Sequence, residues 1–322
     1  VDVAIKAWRE TGHAKALVAG QNVVADHAAR QLDAEVGLTP GPRLRFGPLK
    51  IEGEARMREA RVRKIAGLPE GETFSETELR RAETRLRRTG IFSSVALTED
   101  EQITSPDLLG VTATVVEQKP RRYSFGAEIA SLDGLSLSAS WLHRNVNGGG
   151  ERLGVAADVT NIGSGQSGID YGLEITLDRP ATFTPDTTAG LVLGYSHEDE
   201  IDYALDSVTF GFKVSHIFSE TLTARAGLTY DYLDGNDPGG VFTFRNLSLP
   251  VGLTWDKRDI ANNPTTGFYL DAEAKPFAGF GTTGSGLRAT FDGRAYRSLG
   301  EPGKFVVAAR VQAGAILGSA LL

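Results

Sequence analysis

Four consecutive charged residues, Asp256, Lys257, Arg258 and Asp259, lie within the segment TWDKRDIANNPTTGFYLDAE. Carboxylates beside cations are the side chains that general acid–base catalysis uses. The same segment contains NNPTTG, which is typical of a chain reversal because proline fixes φ and glycine permits positive φ. The local spacing leaves a catalytic site and a turn as alternatives, and the elements on either side must decide between them.

Other candidate chemistry is disfavoured by its spacing. The serine-containing GSGQSG lacks the GxSxG pattern of a nucleophile, and no helix follows the glycines of HRNVNGGGERL to direct its N-terminus at a phosphate. The chain has no cysteine, which excludes disulfides and thiol chemistry. The histidines form no HxH or HExxH pair: they are His13, His27, His143, His197 and His216. We therefore expect no catalytic residue, no metal and no cofactor, and a protein that is not an enzyme.

Composition narrows the class of partner. The 322 residues are 41% hydrophobic and 23% charged, as in ordinary folded proteins, and the net charge of −7 disfavours a nucleic-acid partner. No apolar run approaches the roughly 18–20 residues of a membrane-spanning helix. That observation excludes helical spans only, because the strands of a membrane β-barrel are recognised by alternation.

The first third of the chain predicts an α+β unit. Residues 42–119 have the pattern strand, helix, helix, strand, strand. The second helix is the most clearly marked: Ser75 and Glu78 match a capping box, and Leu79, Ala82 and Leu86 form the stripe that we expect to be buried. Residues 1–41 match only the last part of such a unit, which predicts an internal repeat whose first copy is incomplete.

From residue 121 onward, strict alternation of apolar and polar residues predicts eleven β-strands. Examples are Tyr123, Phe125, Ala127 and Ile129 at odd positions, and Val208, Phe210, Phe212 and Val214 at even positions. A soluble β-sandwich and a membrane β-barrel both alternate. Strands of about 9–12 residues with Tyr or Trp near their ends favour the barrel, with a lipid-facing outer band and a charged lumen. Bacterial barrels usually have even strand numbers, so eleven strands predict that further strands follow.

Several segments resemble a known family. FGPLKIEG, GETFSETELRRAETRLRRTGIFSSV and VTATVVEQKP are similar to POTRA repeats, and WLHRNVNGGGERL and DKRDIANNPTTG are similar to turns of the barrels that follow them. The chain thus resembles the outer-membrane assembly and polypeptide-transport family. The GPRLRFGPLKIEG junction and the SLDGLSLSASW hairpin are most similar to its TamA branch and less similar to its BamA branch. The Arg-Gly-aromatic triplet and the aromatic-terminated last strand of the family do not occur in this sequence.

The resemblance implies an α+β POTRA repeat followed by an all-β antiparallel transmembrane barrel, with about 11 of 16 strands present. Residues 1–41 would end a preceding POTRA repeat, residues 42–119 would form a POTRA domain, and residues 120–322 would form the N-terminal portion of the barrel. The barrel would lie in the bacterial outer membrane, with the repeats in the periplasm. Implied partners are outer-membrane lipid, a TamB-like periplasm-spanning protein, and unfolded outer-membrane or autotransporter clients.

The implied function is insertion or secretion of these clients by strand templating at a lateral gate. A two-partner-secretion transporter, a passive pore or receptor, and a soluble β-sandwich binding protein remain alternatives. The expected first gate strand contains Tyr123, Ser124, Phe125, Gly126 and Glu128. The expected POTRA edge strand for client or partner contains Ser94, Val95, Ala96 and Leu97. If the repeats are periplasmic, connections from even to odd strands are periplasmic turns, and these contain Arg144, Asn145, Gly148, Gly150, Glu151, Asp256, Arg258, Asp259, Pro264 and Gly267.

Overall fold

The computed structural model describes residues 1–26, 30–53, 56–104, 106–165, 167–281, 283–300 and 304–318. The chain divides into two compact units. The first comprises Val1–Lys119 together with Gly148–Gly150, and the second comprises Pro120–Asn147 and Glu151–Leu322. Among the described residues, no helix has both the length and the apolar character needed to span a membrane.

The first unit combines three helices with two small sheets. It begins with α1 (Asp2–Glu10) and the antiparallel hairpin β1 (Leu17–Asp26) and β2 (Gln31–Thr39). A three-stranded sheet of order β3-β5-β4 follows, in which β5 is parallel to β3 and antiparallel to β4. Its elements are β3 (Arg45–Glu52), α2 (Glu59–Ala66), α3 (Glu76–Arg88), β4 (Phe92–Thr104) and β5 (Leu108–Glu117).

The core of the first unit lies between this sheet and the two helices α2 and α3. The predicted stripe Leu79, Ala82 and Leu86 is buried, as are Phe46 from β3 and Phe74, whose rings lie 5.0 Å apart. Burying each large apolar side chain stabilises the fold by about 1.5–3 kcal/mol. The helical periodicity of the sequence therefore identified the packed face of α3 correctly.

The N-terminus of α3 is capped by residues from two parts of the chain. Ser75 Oγ accepts a hydrogen bond from the Glu78 N–H at 3.3 Å, which is half of the predicted capping box. A carboxylate from a distant part of the chain adds to this cap: Glu10, at the end of α1, accepts from Ser75 Oγ at 2.6 Å and from the Thr77 N–H at 3.0 Å. A carboxylate here satisfies exposed helix N–H groups and complements the positive end of the helix dipole.

The second unit consists of one antiparallel sheet in which strands consecutive in sequence are neighbours, apart from β13 and β14, which do not pair with each other. Strands β6 and β17 are at its two ends. The strands are β6 (Arg121–Ala130), β7 (Gly134–His143), β8 (Arg152–Ile162), β9 (Asp170–Arg179), β10 (Thr187–Asp199), β11 (Ala204–Ser219), β12 (Leu222–Asp237), β13 (Gly240–Ser248), β14 (Val251–Asp256), β15 (Gly267–Gly279), β16 (Gly286–Leu299) and β17 (Phe305–Gly318).

Twelve strands occupy eleven positions in this sheet, because β13 and β14 form one line. Both pair with β12 on one side and β15 on the other. Ser248 faces Thr229 and Val251 faces Ala226, so the register continues across the interruption. The ladder breaks at Pro250, which has no N–H to donate. Alternation of Leu247, Leu249, Val251, Leu253 and Trp255 predicts one strand here, and the structure contains it as two strands divided by proline.

The two faces of this sheet differ as the alternation predicts. Large apolar side chains of one parity are exposed along the strands, including Phe125, Leu193, Phe210 and Val251. Among the described residues of the second unit, the buried apolar side chains are Ala181, Ala189 and Phe277. A soluble β-sandwich would bury the apolar side chains of its alternating positions between two sheets. A single sheet that exposes these apolar side chains on its outer face requires an apolar environment.

Candidate functional site

Strand β6 forms one open edge of the sheet. It pairs with β7 from Arg121 opposite His143 to Ala130 opposite Gly134, and in the described part of the chain it has no strand on its other side. Tyr123 and Phe125 are 60% and 82% exposed on the outer face. About half of the backbone N–H and C=O groups of an edge strand point away from its neighbour. The predicted gate residues are thus on the strand at one end of the described sheet.

The two polar gate residues, Ser124 and Glu128, lie on the inner face of β6 opposite Ser140 and Ser136. Gly126 shares that face and is opposite Ser138. A Cβ atom at Gly126 would lie 2.6 Å from Ser138 Oγ, so the glycine accommodates its neighbour's hydroxyl. The residue opposite Glu128 on β7 is the uncharged Ser136, so β7 does not place a cation directly opposite this carboxylate.

Strand β4 forms an edge of the small sheet of the first unit. Its predicted residues pair only with β5 among the described residues: Ser94 opposite Val116, through Val95 and Ala96, to Leu97 opposite Ala113. The Val95 side chain is buried, and its carbonyl accepts a hydrogen bond from Arg87 Nη2 at 2.9 Å. Sequence reasoning missed this contact. The Arg87 guanidinium thus occupies an acceptor position of the Val95 carbonyl.

The charged run of residues 256–259 leads from the end of β14 into the turn that precedes β15. Arg258 donates to Asp256 at 2.7 Å, and its guanidinium lies 4.9 Å from the centre of the Tyr269 ring. A Cβ on Gly267, where φ is +98°, would lie 2.0 Å from the Lys257 carbonyl oxygen. Glycine is required at this position, as the turn interpretation expects.

Asp259 holds the turn together. It accepts hydrogen bonds from the Thr265 hydroxyl and from the N–H groups of Thr265 at 2.9 Å, Ile260 at 3.0 Å and Thr266 at 3.2 Å. The Thr265 hydroxyl, followed by these backbone groups, holds the pKa of the Asp259 carboxyl well below its ordinary value. A carboxylate that binds protons so weakly is a poor general base near neutral pH. This geometry favours the turn over the catalytic alternative, and Pro264 lies within the same turn.

The glycine-rich turn between β7 and β8 is also closed by hydrogen bonds. The Val146 N–H donates to the Glu151 carbonyl at 3.0 Å, and the Arg144 N–H donates to Pro120 O at 2.8 Å. The Asn145 N–H donates to His143 Nδ1 at 3.3 Å. Gly148 and Gly150 have φ of +71° and +85°, which glycine adopts at no steric cost. Phosphate binding is not supported, because no helix N-terminus follows these glycines.

Gly148–Gly150 group with the first unit. Within that unit, the Gly148 carbonyl accepts from the Arg58 N–H at 2.8 Å, and the Gly149 carbonyl accepts from Arg61 Nε at 2.9 Å. These carbonyls therefore face cationic residues of α2 and of its N-cap. No local pattern predicts these two hydrogen bonds, because their donors lie about 90 residues earlier in the chain.

The inner face of the large sheet carries networks of ion pairs whose partners the sequence alone does not predict. Arg225 of β12 lies 2.8 Å from Asp271 and 3.2 Å from Glu273, both on β15. Asp292 of β16 lies 2.7 Å from both Arg294 and Arg310. Alternation predicts inward positions for Arg225, Asp271, Glu273, Asp292 and Arg310, but only the register between strands shows which charges pair. These networks connect strands across the charged face.

Comparison with known proteins identifies both units. A family model for the Omp85 superfamily domain matches residues 145–321, which is more than half of the chain. The chain belongs to the Omp85 superfamily. A POTRA model, described as a surface antigen variable number repeat, matches residues 44–118 in the first unit. The resemblance inferred from the sequence is thereby confirmed at the level of the family. This Omp85 protein is a bacterial outer-membrane protein with its POTRA region in the periplasm.

Three solved structures share the Omp85 fold of this chain. BamA from Haemophilus ducreyi lacking POTRA domains 1–3 has a TM-score of 0.70 at 16% identity, covering 99% of this chain and 64% of that one. CdiB from Escherichia coli has 0.63 at 14% identity, covering 100% and 61%, and CdiB from Acinetobacter baumannii has 0.59 at 10% identity, covering 97% and 58%. The chain thus spans less than two thirds of each of these proteins. At such identities the likeness concerns the fold alone.

Proposed function

We propose that this Omp85 protein assembles or translocates client polypeptides at the outer membrane, by offering β6 as a template for a client strand. The observation that carries the proposal is that β6 has an apolar outer face and, among the described residues, a neighbouring strand on one side only. Unpaired N–H and C=O groups are costly in hydrocarbon, so an entering strand gains hydrogen bonds by pairing with such an edge. This process needs no catalytic residue and no cofactor.

The POTRA unit would act in the periplasm by binding extended segments. Strand β4 offers backbone groups at residues 94–97, and β-augmentation recognises backbone more than sequence. We infer that clients are unfolded outer-membrane or autotransporter proteins, and that a TamB-like periplasmic protein is the partner, as expected for a TamA-type member. The fit of the Arg87 side chain on Val95 would limit this binding to strands that can displace it.

Two other roles are compatible with the fold. A polypeptide transporter of the two-partner-secretion type is supported by the CdiB likeness, whose TM-scores are close to that of BamA. A passive pore or receptor is less well supported, because a diffusion pore has no need of a POTRA unit. The roles differ in whether the β6 edge must open laterally.

A disulfide lock at the β6 edge tests the proposal. Ser124→Cys is combined with a cysteine on the strand that neighbours β6 across the seam of the full-length barrel, and client assembly is measured in liposomes. The matched control is Ser124→Cys with Ser140→Cys, which lie directly opposite within the existing β6–β7 ladder. Directly opposed antiparallel residues lie within disulfide range.

The two pairs give different expected results. We expect the seam lock to abolish client assembly until reductant is added, and the control lock to leave it unchanged. Undiminished assembly by a barrel with a verified seam cross-link would contradict lateral templating and favour transport through the lumen.

A further inference from the structure

A cavity of about 250 Å³ lies on the inner face of the large sheet, and its function is not explained by the templating edge. It is lined by Asn246 of β13, Lys275 and Phe277 of β15, Arg288 of β16 and Ile316 of β17. These residues have the parity opposite to that of the outward apolar side chains of their strands, so they face inward. The cavity therefore opens to the charged side of the barrel wall.

The cavity carries an excess of positive charge. Lys275 and Arg288 are directly opposite in the β15–β16 ladder, an arrangement in which like charges repel. Lys275 Nζ lies 3.5 Å from the carboxylate of Asp231 on β12. Across the described ranges of the chain, no carboxylate forms an ion pair with Arg288. Asp231 thus pairs with only one of these two neighbouring cations, and an anion between them would relieve their repulsion.

A buried acceptor in the same cavity lacks a donor. Asn246 is 3% exposed, and among the described residues its Oδ1 has no hydrogen-bond partner. Buried polar atoms are almost always paired, so such an atom requires an explanation. Phe277, which is buried, and Ile316 add an apolar surface beside it. The lining therefore combines an anion site, an acceptor for an N–H group and an apolar contact.

We propose that this cavity binds an acidic segment of polypeptide. An Asp or Glu carboxylate lies between Lys275 and Arg288, a backbone N–H donates to Asn246 Oδ1, and an adjacent apolar side chain contacts Phe277 and Ile316. A peptide supplies all three groups within a few ångströms. The inference rests on the proposed function, since it gives the barrel wall a contact for a polypeptide client.

Equilibrium binding tests this site. The full-length protein in detergent is titrated into a fluorescein-labelled peptide containing Glu-Phe, and into the matched Gln-Phe peptide, with anisotropy as the readout. We expect the Glu peptide to bind about tenfold more tightly than the Gln peptide, and Arg288→Gln or Lys275→Gln to remove this preference. Arg288→Lys should retain most of it, because the charge is conserved.

Lys213→Gln is the matched control, since Lys213 is an inward lysine that is paired with Asp178 at 3.1 Å and does not line the cavity. It should leave peptide affinity unchanged. In the absence of peptide, Arg288→Gln should not lower the melting temperature of the barrel, because it removes a repulsion. Equal affinity for the Glu and Gln peptides, or an unchanged preference in Arg288→Gln, would overturn the proposal.

Inorganic phosphate separates a general anion site from a peptide site. Displacement of the peptide by phosphate as effectively as by excess unlabelled Glu peptide would contradict the peptide assignment. The binding readout requires no client assembly. If the protein binds the Glu peptide specifically but still assembles clients with its seam cross-linked, templating is disproved and this site is not. If the seam lock blocks assembly but the protein binds the Glu and Gln peptides equally, this site is disproved and templating is not.

Discussion

Replacing Glu10 by alanine isolates the long-range cap of α3. The Glu10 carboxylate accepts from Ser75 Oγ at 2.6 Å, from the Thr77 N–H at 3.0 Å and from Thr77 Oγ1 at 2.7 Å. Ser75 keeps its own hydrogen bond from the Glu78 N–H, so the local N-cap survives the substitution. The change therefore measures what α1 contributes to the start of α3.

The expected loss follows from these contacts. A hydrogen bond to a charged group contributes about 1.5–3 kcal/mol, and a carboxylate at a helix N-terminus contributes about 0.3–1 kcal/mol. Water replaces part of this stabilisation at the half-buried Glu10. We expect the free energy of local opening to fall by about 2 kcal/mol, which is about a 30-fold faster amide exchange at Thr77.

The effect depends on pH with a definite sign. Burial of the Glu10 carboxyl acts to raise its pKa, but the hydrogen bonds from Ser75 and Thr77 outweigh it and hold the pKa below its ordinary value. A lowered folded pKa gives stability that is present above the unfolded pKa of about 4.3 and is lost as the pH falls through the folded value. Wild type and Glu10→Ala should differ fully at pH 7 and converge as the pH falls through the lowered pKa of the folded state.

Hydrogen exchange of the full-length protein, resolved at the first turn of α3, measures this difference. Glu83→Ala is the control, because Glu83 pairs with the exposed Arg87 on the same helix and should contribute under about 0.5 kcal/mol. Equal exchange at Thr77 in wild type and Glu10→Ala at pH 7 would refute the reasoning. So would an equal effect of Glu83→Ala.

Two further predictions concern the turn and the POTRA edge. Gly267→Ala should destabilise the barrel by about 1–3 kcal/mol, because φ is positive there and the new Cβ would clash with the Lys257 carbonyl oxygen. The compact, heat-modifiable gel band should then be lost at a lower temperature than in wild type, and an unchanged temperature would contradict the prediction. Arg87→Ala should free the Val95 carbonyl and strengthen binding of a strand-forming peptide by about threefold, measured by calorimetry; weaker binding would indicate that Arg87 contacts the peptide.

The sequence predicted the large sheet well because a two-residue period with one apolar face determines the register. Shifting β11 by one residue would turn Phe210 and Phe212 inward, so little freedom remains. The prediction located the line of β13 and β14 from residue 247 onward, but it missed residues 240–246. That part of β13 has mixed alternation, since Phe242 and Phe244 follow a parity opposite to that of Leu247 and Leu249.

Features that depend on distant parts of the chain could not be predicted. The motif at Ser75 indicated a capping box, but the carboxylate that completes the cap is Glu10, about 65 residues earlier. The Arg87 contact on Val95 likewise depends on how α3 packs against β4. The position of β6 at an edge was inferred from family resemblance, because alternation alone does not distinguish an edge strand from a central one.

The central claim is that β6 itself pairs with a client strand, and cysteine cross-linking to a stalled client tests it most directly. Full-length protein carrying Ser124→Cys is compared with Ser140→Cys, the residue opposite it on β7, against clients with single cysteines along one strand. We predict disulfides from position 124 at alternate client positions and none from position 140. Cross-links of equal yield from both positions, or none from position 124 while clients assemble, would contradict the account.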